Sequence, residues 1–421
     1  MKRGILFGSA AAILTLTPAL FAPAMAQTEL LLWEHETANQ AELDFFADAI
    51  AEFNASQSEF RIVRELIPEG SYTNTIQAAA AAGTLPCVFD MDQPVVPSFA
   101  WGGHVAELTP YLGEDFADAF TTGARGTYQD SLYSVGLWDA ALTLYSTQST
   151  LDEYGFRAAT VEEPYTADEL SEILETITAS GDFNFAIDVE SGTQGEWFAY
   201  AFAPLIQSAG GDLIDRSTFL TAEGVANGPE AVEAATWFQS LFTDGHASTN
   251  SGGGGLANGE TAFHYSGSWN YGPLKEQFGD DLVVMPLPDM GNGPVIGAAS
   301  WQWGVSASCE HPEAAADFIA MLMTPEKIAE ASNATSLIPV SADALPMSDY
   351  YQEGQEARIF FEFADRFAML RPETPGYPFI SSTFERVFRD IMNGADVQSA
   401  LDGYVDAVEI NIADNQGYGF E

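Results

Sequence analysis

Carboxylates, amides and tryptophans recur at the ends of short apolar runs in this chain. Glu34-His35-Glu36 follows a run that ends at Trp33, and Asp90, Asp92 and Gln93 follow Cys87-Val88-Phe89. Trp138 and Asp139 lie between two extended segments, Ser268-Trp269-Asn270 follows another run, and Trp301-Gln302-Trp303 opens a further one. Glu196, Trp197 and Tyr377 complete the candidate set. These residue types suit a sugar. Hydroxyls take planar acceptors and donors at fixed angles, and the apolar face of a pyranose takes an aromatic ring. Each residue also has a plainer role. A tryptophan such as Trp138 or Trp301 fills core, His35 is satisfied at a surface, and Asp90 and Asp92 cap the next element. The spacing of the two aspartates puts both on one strand face, which also admits a Ca²⁺ role.

Catalytic motifs are scarce. The chain has no G-x-S-x-G and no H-E-x-x-H. A glycosidase needs two opposed carboxylates at a set separation, and among 61 acids nothing singles out such a pair. Gly252 to Gly255 could be read as a phosphate cradle, but no Gly-Lys-Ser/Thr follows, so they read as a flexible loop. No cofactor is implied, and two cysteines do not make a zinc site unaided.

The elements that must position these residues follow from apolar spacing. Residues 30–33 read as a buried strand. Leu43, Phe46, Ile50 and Phe53 repeat at threes and fours, the mark of one helix face. Residues 60–66 alternate as a strand, 72–82 are helical and stop at Gly83, and 87–89 form a third strand. Strand, helix, strand, helix, strand implies an α/β chain with a mainly parallel sheet covered by helices. In such a sheet, ligands bind beyond the carboxyl ends of the strands. Residues 131–135 and 142–145 look extended, and a second domain begins near them. Helices are expected over 166–179, 196–208, 229–242, 312–323, 358–367 and 381–394, and strands over 261–265 and 301–307.

The first 26 residues read as a secretory signal peptide. Lys2 and Arg3 precede an uncharged apolar stretch, and Ala24-Met25-Ala26 gives the cleavage pattern. A retained anchor is the rival reading, weakened by Pro18 and Pro23. The remainder is too long for one ordinary core and fits two domains. With 61 acidic and 14 basic residues the net charge is −47. Nucleic acid and anionic membrane surfaces, which need clustered Lys and Arg, are poor partners, and no nucleic-acid partner is expected. The acids are spread along the chain, a solvated surface suited to a salty medium. Cys87 and Cys309 are the only cysteines, and an oxidising compartment favours their pairing over two separate buried thiols.

Several segments together resemble the carbohydrate-binding extracellular solute-binding proteins, the maltose-binding-protein-like class of ABC importers. They are Ala80-Ala81-Ala82-Gly83-Thr84-Leu85-Pro86, His104-Val105-Ala106-Glu107-Leu108-Thr109-Pro110, Leu142-Thr143-Leu144-Tyr145, Ile206-Gln207-Ser208-Ala209-Gly210-Gly211, Gly267-Ser268-Trp269, Trp303-Gly304-Val305-Ser306-Ala307 and His311-Pro312-Glu313-Ala314-Ala315. Their order spans nearly the whole mature chain. The resemblance implies a two-domain periplasmic binding fold (cluster B-like, type II) with discontinuous lobes, 27–136 with 300–337 and 137–299 with 338–421. Hinge crossings are expected near 135–137, 296–300 and 336–339. It implies a periplasmic monomer, not an enzyme, that closes on a mono- or oligosaccharide and passes it to a membrane permease. Trp269 would stack on the sugar, with Trp301 or Trp303 near the hinge, and Glu34, His35, Asp92 and Asp139 would hydrogen-bond. The family often carries Asp where Cys87 stands. A Cys87–Cys309 bridge would staple the returning segment to the first lobe. Two alternatives stand beside this reading: a secreted carbohydrate-active enzyme, and the same fold binding a polyamine or another non-sugar solute.

Overall fold

The computed structural model describes Met1 and residues 27–420, so the signal-peptide reading lies outside the described residues. Among the described residues fourteen strands follow one another. The first seven are β1 (Thr28–Glu36), β2 (Phe60–Pro68), β3 (Val88–Asp92), β4 (Arg125–Tyr128), β5 (Ser131–Val135), β6 (Trp138–Asp139) and β7 (Leu142–Thr147). The rest are β8 (Phe185–Asp188), β9 (Thr261–Gly267), β10 (Leu282–Met285), β11 (Ile296–Ala298), β12 (Trp301–Val305), β13 (Ile338–Pro339) and β14 (Ala368–Leu370). They form a six-stranded sheet, β2-β1-β3-β12-β5-β4, a four-stranded sheet, β10-β7-β9-β8, and two short ladders, β11-β14 and β13-β6.

The expected mainly parallel sheet is instead mixed. β1 pairs parallel with β2 and β3, but β12 runs antiparallel to β3 and β5, and β4 antiparallel to β5. The opening strand–helix units need parallel pairing because each helix carries the chain back across the sheet. β12 follows β10 and β11 with no helix between them, and enters the sheet in the opposite direction. Its register sets Trp301 against Asp92 and Trp303 against Asp90. β3 is longer than expected, so both aspartates belong to the strand instead of leaving it.

Local signals account for the helix ends. Asn39 caps Gln40–Ser56 by accepting from the Ala41 N–H at 3.1 Å, and Phe45, Phe46, Ala49, Ile50 and Phe53 form its buried face. Glu69–Ala82 stops at Gly83, whose φ of 68° lets its N–H reach the Ala79 and Ala80 carbonyls. The late helix starts at Tyr377, four residues before its expected start at Ser381, because Pro378 suits a first helical turn. Among the described residues no helix is long and apolar enough to cross a membrane. Cys87 and Cys309 are bonded, with Cα atoms 4.7 Å apart, so the start of β3 is tied to the turn after β12.

Candidate ligand-binding site

The carboxyl ends of β1 and β3 carry a buried polar cluster. His35 is 3% exposed and donates from its ring to Asp90, while Asp90 also accepts the His35 backbone N–H at 3.2 Å. The Glu42 carboxylate, from the first turn of Gln40–Ser56, lies 3.6 Å from the other ring nitrogen. Burial opposes charge on His35, but Asp90, Glu42 and Glu69 outweigh it and push its pKa up to about 10. The imidazolium stacks on Trp301, centroids 4.0 Å apart and planes 12° from parallel. Trp301 meets Tyr72 edge-on at 5.6 Å. Glu34 accepts from Arg64 at 2.7 Å, and burial raises its pKa to about 8 against the pull of Arg64. Trp33 donates its indole N–H to Glu65 at 3.0 Å, near the same strand end.

A second cluster forms around Arg371, which sequence reading passed over. Its guanidinium donates to both Asp92 oxygens, at 2.5 and 2.7 Å, and to Glu196 at 3.0 Å. It lies 5.0 Å over the Tyr200 ring. Glu196 also accepts from Tyr377 and, at 2.5 Å, from Ser381. Burial raises the Glu196 pKa, and Arg371 opposes that rise. Gln93 is fully buried and reaches Glu373 at 3.5 Å. The only sequence signal for Arg371 is its type, a basic residue among 14 in a chain with 61 acids, set before a proline.

The third cluster surrounds β9. Trp269, half-buried, lies over Gly267 so closely that a β-carbon there would collide with the indole, which is the reason for glycine in Gly267-Ser268-Trp269. Trp197 meets Trp269 edge-on at 6.0 Å, and Tyr200 lies 6.1 Å away. The Trp197 N–H is spent on the Val189 carbonyl at 3.2 Å, and Ser268 is buried, with its hydroxyl accepting the Ala141 N–H at 3.3 Å. Glu190 accepts from Ser266 at 2.6 Å and lies 2.8 Å from His264, and Asn270 donates to Ser266 at 2.8 Å. Glu190 sits at φ 53°, a backbone position uncommon for a residue with a side chain, and no sequence motif marks it.

Thus the structure brings together His35, Asp90 and Trp301, separately Asp92, Glu196 and Tyr377, and separately Trp197 and Trp269. Two tryptophans from the candidate set are instead core. Trp303 packs against Phe46 at 5.0 Å and Phe318 at 6.4 Å, and Trp138 against Phe46 at 5.7 Å. Both are almost wholly buried, because β12 and β6 carry them under the helices that cover the larger sheet. Asp139 serves the backbone, accepting from Ala140 at 2.8 Å and Ala299 at 3.0 Å. Asp90 and Asp92 are each taken by a cationic side chain of the protein, and among the described residues no cluster of three or more His, Cys, Asp or Glu suits a metal ion.

A family model described as bacterial extracellular solute-binding protein matches residues 48–358. No curated protein matches the chain. Solved structures do. The cyclic alpha-maltosyl-1,6-maltose binding protein from Arthrobacter globiformis is 24% identical with a TM-score of 0.73, over 92% of this chain and 100% of that one. The GacH receptor of Streptomyces glaucescens is 20% identical with a TM-score of 0.78, over 92% and 99%. The maltose/maltodextrin-binding domain MalE from Bdellovibrio bacteriovorus is 17% identical with a TM-score of 0.77, over 92% and 100%. At these identities the likeness establishes the fold, the two-domain architecture of periplasmic binding proteins, and the family model covers most of the chain. The protein therefore belongs to the bacterial extracellular solute-binding proteins, a family of binding proteins and not of enzymes.

Proposed function

We propose that this protein captures a mono- or oligosaccharide in a cleft between its two lobes and delivers it to the permease of an ABC importer. The lobes would comprise residues 27–136 with 300–337 and 137–299 with 338–421, and the monomer would work in the periplasm. Trp269 carries the reading. It is a half-buried indole set over a glycine and flanked by Trp197 and Tyr200. A partly exposed indole among other aromatic rings matches the apolar face of a pyranose. Structural neighbours support it, since GacH was solved with acarbose and the Bdellovibrio protein with maltotriose. The hinge would run through the β11-β14 and β13-β6 ladders, which lie outside both large sheets. Sugar contacting both lobes would favour the closed form by differential affinity.

Arg371 speaks against a polyamine at this place. The acids Asp92 and Glu196 and the Tyr200 ring would make a cage for an amine, but the chain's own guanidinium occupies it.

A thermal-shift screen of the mature protein against mono-, di- and trisaccharides, polyols and polyamines tests the reading, because a ligand specific to the folded state raises the melting temperature. A rise with one saccharide family is the expected result; a rise with polyamines alone would overturn the substrate class. With that saccharide in hand, Trp269→Ala should weaken binding at least about tenfold, or ~1.4 kcal/mol. Unchanged affinity by calorimetry would remove the stacking role.

A further inference from the structure

Arg371 joins parts of the fold that lie far apart in sequence. It follows β14 and is 3% exposed. Asp92, its bidentate partner, ends β3 in the six-stranded sheet. Glu196 and Tyr200 belong to the start of the helix Trp197–Ala209, which packs on the four-stranded sheet where the Tyr265 hydroxyl donates to the Ala201 carbonyl at 2.5 Å. A weaker contact of 3.4 Å runs from Arg371 to the carbonyl of Ala299, in the connection from β11 to β12. Glu196 is in turn held by Tyr377 and Ser381 of the helix Tyr377–Met392. One side chain thus touches the larger sheet, the connection between the sheets and the helices of the smaller one.

Two features make the junction suited to a contact that breaks and re-forms: its groups are charged, and they come from segments far apart in the fold. On opening, guanidinium and carboxylates recover water; on closing, they recover each other. Desolvation offsets attraction in a buried ion pair, so the two gains oppose one another.

We propose that Arg371 is a positioning residue that ties the two lobes together in the closed form, seated on Asp92 at one side and on Glu196 and Tyr200 at the other, and so sets how much of the ligand-free protein is closed. The proposal rests on the hinge-closure reading above. A rotation about the β11-β14 and β13-β6 ladders moves Asp92 relative to Glu196, and a planar guanidinium in bidentate contact with one cannot follow both. Through population shift, the tie would also raise apparent affinity for any ligand that binds the closed form.

The test needs no ligand for its main readout. Nitroxides are placed on cysteines introduced at the exposed positions Glu114 and Glu223, on either side of the proposed hinge, with the native bridge intact. Pulsed electron resonance then gives the interlobe distance distribution. Arg371→Ala should move most of the ligand-free population to the open distance, and Arg371→Lys, which keeps the charge but not the fork, should move part of it. Millimolar ethylguanidinium should return the Ala variant to the closed distance and leave the parent unchanged. Variants that melt cooperatively and keep the parent distribution would overturn the tie. So would a variant that loses its cooperative melt and is not rescued by ethylguanidinium, since Arg371 would then be core support. If the parent distance does not respond to the saccharide that raises its melting temperature, the hinge-closure reading fails and the tie fails with it. A responsive parent with unresponsive variants overturns the tie alone.

Discussion

Replacing both Cys87 and Cys309 with Ser lowers the melting temperature by roughly 5–15 °C, the largest single effect expected in this protein. The bridge closes a sequence separation of 222 residues. Chain-entropy reasoning gives roughly 5 kcal/mol for a loop of that length, and removal of native bridges costs about 2–5 kcal/mol. Everything between the two cysteines, including the whole four-stranded sheet, lies inside the loop. The bridge therefore fixes the point where the chain re-enters the larger sheet, beside the β3–β12 ladder, where the Ser306 N–H also donates to the Cys87 carbonyl at 3.0 Å. Calorimetry of the double variant, and of the parent with and without reductant, measures the effect. The first transition to move should be that of the larger sheet. A melting temperature unchanged by either treatment would show that the strand ladder alone holds the return.

Stability should fall as pH rises from about 5 to 10, with the His35 cluster as a principal cause. His35 has a folded pKa of about 10, above its unfolded value of 6.5. A raised pKa means the folded state binds the proton more tightly. The contribution is complete below pH 6.5 and is lost as pH climbs through 10. Glu34 and Glu42 act in the same direction. Burial raises them to about 8 and 7, so their contribution is present below the usual carboxylate range and lost through neutral pH. The facing groups are Asp90, Glu69 and Arg64, and none reverses the sign. Repulsion within a chain of net charge −47 adds to the trend and is screened by salt, so the comparison belongs at high ionic strength. Melting temperatures measured across this range should decline, and His35→Gln should flatten the alkaline part of the decline. A variant whose profile parallels the parent's would assign the trend to surface charge instead.

Much of the fold was legible because strand and helix signals are local. Leu43, Phe46, Ile50 and Phe53 mark a helix face whatever lies elsewhere, and Gly83 stops its helix by backbone freedom alone. The acidic balance and the pairing of two lone cysteines likewise needed only residue types. Gly267-Ser268-Trp269 was readable as a motif, and the structure supplies its reason in the indole lying on the glycine. The direction of β12 was not legible, because a strand's apolar pattern reads the same whichever way it enters a sheet. Nor was the division among tryptophans. Trp301 and Trp303 are two residues apart and alike in sequence, yet one stacks on His35 at a strand end while the other packs between Phe46 and Phe318. Arg371 was hidden for the same reason at longer range. Its partners stand 279 and 175 residues away, and what makes it central is that three distant segments converge on one buried charge. Composition and local period determine which elements form and which chemistry is on offer. Only the tertiary structure decides which of those groups meet, because desolvation and ion pairing depend on neighbours in space and not on neighbours along the chain.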